Sequence, residues 1–102
     1  MARNPRFERL LQLMNKVHNS KNEDYAFDGS PYSNFEEAAD YAGVTVPEVF
    51  DVLLGVKQAR LKQLRASGKE PQHESVQDTL VDRAVYAALA ASWDMNEVED
   101  GE

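Results

Sequence analysis

Phe7, Leu10, Leu11, Met14 and Val17 recur at i, i+3, i+4, i+7 and i+10, the spacing that lays apolar side chains along one face of a helix. Asn4-Pro5 stands in front of them as an N-cap and a first-turn residue, so the pattern predicts a first helix over residues 4–20. Lys21 to Ser33 is rich in turn formers yet carries Tyr25, Phe27 and Tyr32, and is expected to be a loop. A solvated linker has no use for three rings, which makes that segment a candidate for function. Ser33-Asn34-Phe35-Glu36 has the form of a capping box and predicts a short second helix through Tyr41, ended by Gly43. Thr45-Val46-Pro47-Glu48 repeats the signal. A third helix then runs to Ala66 and stops before Gly68, burying Val49, Phe50, Leu53, Leu54, Leu61 and Leu64, with Lys62 and Arg65 suitably placed near its C-terminus. Residues 69–73 form a connection, and a last helix covers Ser75 to Asp94.

No alternating run of strand length survives this reading. The expected fold is all-α, a compact helical bundle of three long helices and one short helix. It forms one domain over residues 1–93, followed by an acidic, disordered tail over residues 94–102. The last helix is rich in alanine (Ala84, Ala87, Ala88, Ala90, Ala91), which admits a close neighbour but makes a small core. Homo-oligomerisation is therefore expected, because it buries more surface.

Composition narrows the setting. There is no cysteine, which removes disulfides, thiolate chemistry and cysteine-bound zinc and fits a reducing cytoplasm. The charged amino terminus lacks the apolar core of a signal peptide, and no run approaches a membrane span, so no membrane partner is expected. The net charge is −7, but five of the acids (Asp94, Glu97, Glu99, Asp100, Glu102) lie in the last nine residues. Thirteen acids and eleven bases remain in residues 1–93, so the body is nearly neutral and no binding to duplex DNA is expected.

Glu74, Asp78 and Asp82 carry the most chemistry. Four helical residues turn the chain by only about 40°, so the three carboxylates share one side of the last helix, with Tyr86 following. Like charges at i,i+4 cost roughly 0.2–0.5 kcal/mol per pair, so the row calls for a cation or for solvent. Mg²⁺ is one candidate, since it takes one or two carboxylates together with substrate phosphates. Lys57 and Arg60, three apart on the third helix, are the other. They either hold phosphate oxygens or, through Arg60, close an ion pair with Asp78 or Asp82. An ordinary acidic face is the plainest reading.

Lys21, Asp24 and Tyr25 combine a cation, a carboxylate and a ring that suit a nucleotide's phosphate and base. Equally, Tyr25 and Phe35 can seal the open end of the bundle. His18 and His73 have no metal-ligand spacing and are not nominated. Glu36-Glu37-Ala38-Ala39-Asp40 is a second acidic group that a metal site can recruit, or a solvated surface.

Lys21-Asn-x-Asp24-Tyr25-Ala, Ser33-Asn34-Phe35, Lys57-x-x-Arg60-Leu61 and Glu74-Ser-x-x-Asp78-Thr-Leu-x-Asp82-x-Ala-x-Tyr86-Ala together resemble the nucleotide modification associated helical domains common in bacteriophage genomes. That family is similar to the all-α nucleotide pyrophosphatases of the MazG type. The resemblance spans residues 7–92, and its last block is the most specific. It implies a phage-encoded protein, acting in the host cytoplasm, that binds or processes nucleotides with Mg²⁺ on the acidic row. In MazG-type enzymes acidic motifs on two helices hold metal around a nucleoside triphosphate, and water cleaves between the α and β phosphates. Glu36-Glu37-x-x-Asp40 with Glu74-x-x-x-Asp78 is similar in kind. Family members often carry an aspartate just before the lysine matched here by Lys57, where this chain has Val56. That departure weakens metal-dependent catalysis and favours binding without turnover.

The expectations are then two. In the first, Glu74, Asp78 and Asp82 bind Mg²⁺, Asp78 and Asp82 are catalytic, and Lys21, Asp24, Tyr25, Lys57 and Arg60 hold the nucleotide of a (d)NTP pyrophosphohydrolase-like protein. In the second, the chain is a non-catalytic accessory protein that sequesters a nucleotide signal or binds a host protein.

Overall fold

Helix-forming patterns joined by short breaks become four helices: α1 (Pro5–Tyr25), α2 (Ser33–Ala42), α3 (Val46–Ser67) and α4 (Gln72–Asp94). A computed structural model describes residues 2–25, 30–68 and 72–95, and the side chains of 2–19, 30–68 and 76–95. The described residues contain no strand, so the fold is the expected all-α bundle of three long helices and one short one. None of these helices is long and apolar enough to cross a membrane. The acidic tail beyond Met95 lies outside the described residues.

The caps explain where the helices begin and end. Asn4 caps α1 as expected, its Oδ1 accepting the Phe7 N–H at 3.1 Å. The predicted end at residue 20 is too early. No glycine or proline interrupts Ser20 to Asp24, and polar residues cost only tenths of a kcal/mol each in a helix, so α1 continues through Lys21 and Asp24 to Tyr25. Residues 21–25 are therefore helix, not loop.

The second helix also departs from expectation. Its N-cap is Tyr32, without a side-chain cap bond, and Ser33 is already helical. A turn moves the start one residue earlier: the Tyr32 N–H donates to Ser30 Oγ at 3.1 Å and the Ser33 N–H to the Ser30 carbonyl at 3.2 Å. Gly43 ends α2 at φ 71°, in the left-handed region that costs glycine nothing, and the next residues reverse the chain.

Thr45 opens α3 with a complete capping box. The Glu48 N–H donates to Thr45 Oγ1 at 3.3 Å, while the Thr45 N–H reaches back to Glu48 Oε1 at 2.8 Å. Gly68, at φ 67°, caps the other end, where Arg65 faces the negative end of the helix dipole. The last helix begins at Gln72, directly after Pro71 in the sequence, rather than at Ser75.

The most extensive packing joins α3 to α4, which run antiparallel with Lys57 opposite Asp82 and Gln58 opposite Arg83. Phe50 and Leu61 of α3 are fully buried, as is most of Val81 and Val85 of α4. Val49, Leu53, Leu54 and Leu64, expected in the core, are only half-buried, because α3 has neighbours on part of its circumference. The short helix packs Phe35 against Phe50, with ring centres 4.7 Å apart, and buries Ala39 beside Val46. Leu89, Ala90 and Trp93 of α4 close the same cluster. α1 rests lightly on α4, with Leu10, Met14 and Val17 half-buried and Phe7 and Leu11 exposed.

Two outcomes test this packing. Phe50→Ala should cost about 3–5 kcal/mol in urea denaturation, since it empties the point where three helices meet. Thr45→Ala should cost about 1 kcal/mol. The backbone N–H of Thr45, and after it the Thr45 hydroxyl, hold the Glu48 carboxyl below its ordinary pKa. A carboxylate favoured in the folded state adds stability above its unfolded pKa, and that stability is lost as pH falls through the folded value. Glu48→Gln should therefore flatten the acid limb of a stability–pH profile.

Candidate functional site

Helical geometry turns each residue of the acidic row by a further 40°, and the fold separates them accordingly. Asp82 faces α3, where its Oδ2 lies 3.0 Å from Lys57 Nζ with both side chains 23% exposed. Asp78, one turn earlier, is exposed. The side chain of Glu74 lies outside the described residues.

Of the two cations expected against this row, it is Lys57 that makes the ion pair. Arg60 is exposed and, among the described residues, pairs with neither Asp78 nor Asp82. The reason is register: the α3 position that points into the seam at the level of Asp82 is Lys57, and Arg60, three residues on, is turned outward. Arg83 extends the polar seam by donating to Gln58 Oε1. Val56, the departure from the family pattern, is exposed beside Lys57.

The second acidic group is not brought to the row. Glu36, Glu37 and Asp40 are exposed on α2, whose inner face meets Phe50 and the far end of α4 around Leu89 and Trp93. At 1.5 Å per residue, Asp78 lies roughly 16 Å along α4 from Leu89. Among the described residues no three acidic or histidine side chains converge to hold a metal ion. The side chains of Lys21, Asp24 and Tyr25 lie outside the described residues, although their backbone is the last turn of α1.

A cleft that sequence reading passed over lies where α1 and α4 leave room between them. It has a volume of about 420 Å³, within the range of small-molecule sites. Met14, Val85, Ala88 and Leu89 give it apolar walls, and Asn15, His18, Tyr32 and Ser92 bring in polar groups. Tyr32 is fixed by its neighbours: its ring meets Trp93 edge-on at 5.0 Å and its hydroxyl lies 2.7 Å from Ser92 Oγ.

The proton inventory of that pair has a chemical consequence. The Ser92 hydroxyl donates to the Leu89 carbonyl at 2.8 Å, so its single proton is engaged and Tyr32 must be the donor in the contact with Ser92. The Tyr32 oxygen then keeps its acceptor capacity, and as a residue of the cleft lining Tyr32 suits an N–H of a ligand. His18 was not nominated from the sequence because a lone histidine carries no motif. Its place three and four residues after Asn15 and Met14, at the polar edge of the α1 apolar face, was the available signal.

Comparison with protein-family models, with curated proteins and with solved structures finds no match to this chain.

The Lys57–Asp82 pair is half-buried between two helices and belongs between the weak surface pairs and the costly buried ones. A double-mutant cycle with Lys57→Met and Asp82→Asn should give a coupling of about 1 kcal/mol, reduced by salt. Coupling indistinguishable from zero would show that the two charges act independently.

Proposed function

We propose that this chain is a nucleotide-binding helical protein of the phage type that its motifs resemble, acting in the cytoplasm by binding rather than turnover. The observation that carries this reading is the cleft beside Tyr32 and His18, with apolar walls for a flat ring and polar groups at its edge. Its volume accommodates a nucleobase with its sugar. An acceptor at Tyr32 Oη favours bases that present an N–H.

The catalytic version of the reading has less support. A metal on the row would have to draw Asp82 away from the Lys57 ammonium, which already occupies a cation's place against that carboxylate. Asp78 is the exposed carboxylate left for Mg²⁺, with Glu74 one turn before it. If Mg²⁺ bound there it would neutralise phosphate charge and activate water. Self-association forms part of the reading, and the exposed Phe7 and Leu11 on α1 and Val52 and Val56 on α3 are apolar surface that a second copy would cover.

Thermal denaturation with a panel of ribo- and deoxyribonucleotides tests the proposal. A ligand that binds only the native state, present at about 100 times its Kd, stabilises it by about 2.7 kcal/mol and should raise Tm by on the order of 10 °C. Tyr32→Phe, which removes the polar contact but keeps the ring, should weaken the shift. A flat Tm across the whole panel overturns nucleotide binding. Pyrophosphate release with Mg²⁺, abolished by Asp78→Ala, would replace binding by catalysis.

A further inference from the structure

The third helix is apolar on two sides. Phe50 and Leu61 turn inward and are fully buried. On the side turned away from them, Val52, Gly55, Val56 and Ala59 follow at i, i+3, i+4 and i+7, so they form one stripe, and all four are exposed. Val52 is 64% and Val56 56% exposed, where a surface helix ordinarily presents polar residues to water. Gly55 adds to the anomaly. Glycine in a helix interior is destabilising relative to alanine, yet a Cβ at Gly55 would meet nothing within 4 Å, so nothing within a single chain requires the missing side chain.

The charges beside the stripe decide what covers it. Both acids of α3, Glu48 and Asp51, precede Val52, and the exposed bases Arg60, Lys62 and Arg65 follow Val56. The helix dipole favours that order only within the first and last turns. Asp51 and Lys62 stand beyond them, each the sixth residue from its end of α3. No residue of opposite charge lies three or four positions from either, and among the described residues neither forms an ion pair. A uniformly basic or acidic partner would set like charge against one half of the stripe. A second copy of α3 turned end for end complements both halves.

We propose that this stripe is the contact of a two-fold dimer in which α3 packs antiparallel on α3 of a second copy. The proposal rests on the self-association in the reading above and gives it a surface, a direction and a partner for each charge. A two-fold axis through the middle of α3, near Val56, sets Asp51 at the level of Lys62 of the second copy and Glu48 at the level of its Arg65. The symmetry repeats each pair, so charge attractions flank the apolar centre at both ends. Gly55 and Ala59 let the helices approach toward the lower end of the roughly 8–10 Å range of helix pairs, and the valines fill the space beside them. The stripe is short for a standard interface of about 800 Å² per partner, so a Kd in the micromolar range is expected.

Sedimentation equilibrium of the full chain from about 1 μM to about 1 mM tests this, since it brackets that Kd. Asp51→Lys and Lys62→Glu should each weaken the dimer at least roughly fivefold, because each sets two like-charge contacts across the pair. Combining both substitutions in one chain should restore association. Mixing the two single variants should restore it as well, because each copy then supplies the charge that the other lacks. Val56→Lys should weaken the dimer with no rescue by either charge variant. All three residues are exposed, so each variant should fold, and an unchanged circular dichroism melt at the lowest concentration checks it. Weakening by both single charge variants without recovery in either combination overturns the antiparallel pairing. Self-association that none of the variants changes overturns this contact and leaves self-association through another face standing. A single chain at every concentration overturns both, and none of these outcomes bears on nucleotide binding in the cleft.

Discussion

The antiparallel seam between α3 and α4 is the constraint on which the rest of the molecule depends. Phe50 sets one end of it, buried among Phe35, Leu89 and Trp93, and Leu61 is buried farther along α3. Lys57 and Asp82 meet between them at 3.0 Å. A slip of one residue would turn Lys57 out of the seam and leave Asp82 half-buried without its cation, which is costly enough to fix the register. The small helix α2 adds to this seam at its Phe50 end, and α1 is laid against α4 beside it.

That arrangement decides which chemistry the acidic row can offer. Rotation along α4 hands Asp82 to α3 and leaves Asp78 in solvent, so three carboxylates that are neighbours in sequence have different environments in the fold. The light contact of α1 has the opposite effect. Where α1 does not close on α4, an aromatic, half-polar cleft opens beside Tyr32. The same poverty of large side chains on α4 that keeps the core small, with Ala88 in the wall, makes the room.

Much of the fold was legible because its signals are local. Asn4-Pro5, Thr45 with Glu48, Gly43 and Gly68 each act on the backbone within a turn, and each marks its helix end where the sequence puts it. Ser33 failed as a cap because Ser30, three residues upstream, competed for the same turn. The extension of α1 to Tyr25 was hidden for a related reason: polar residues look like a loop but do not break a helix. For the site, spacing gave the shared side of Glu74, Asp78 and Asp82 but not which helix would face each of them. The pairing of Lys57 rather than Arg60, and the cleft lined by His18, arise from helix-to-helix placement, which periodicity does not encode.

The chain has one tryptophan, and Trp93 lies edge-on against Tyr32, which lines the cleft, so its emission is a local reporter of occupancy. Titrating a panel of nucleotides while recording Trp93 fluorescence tests nucleotide binding in this cleft most directly. The account predicts a saturable change with at least one nucleotide, diminished in Tyr32→Phe. Emission that stays flat for every nucleotide, yet shifts on unfolding in urea, would contradict it.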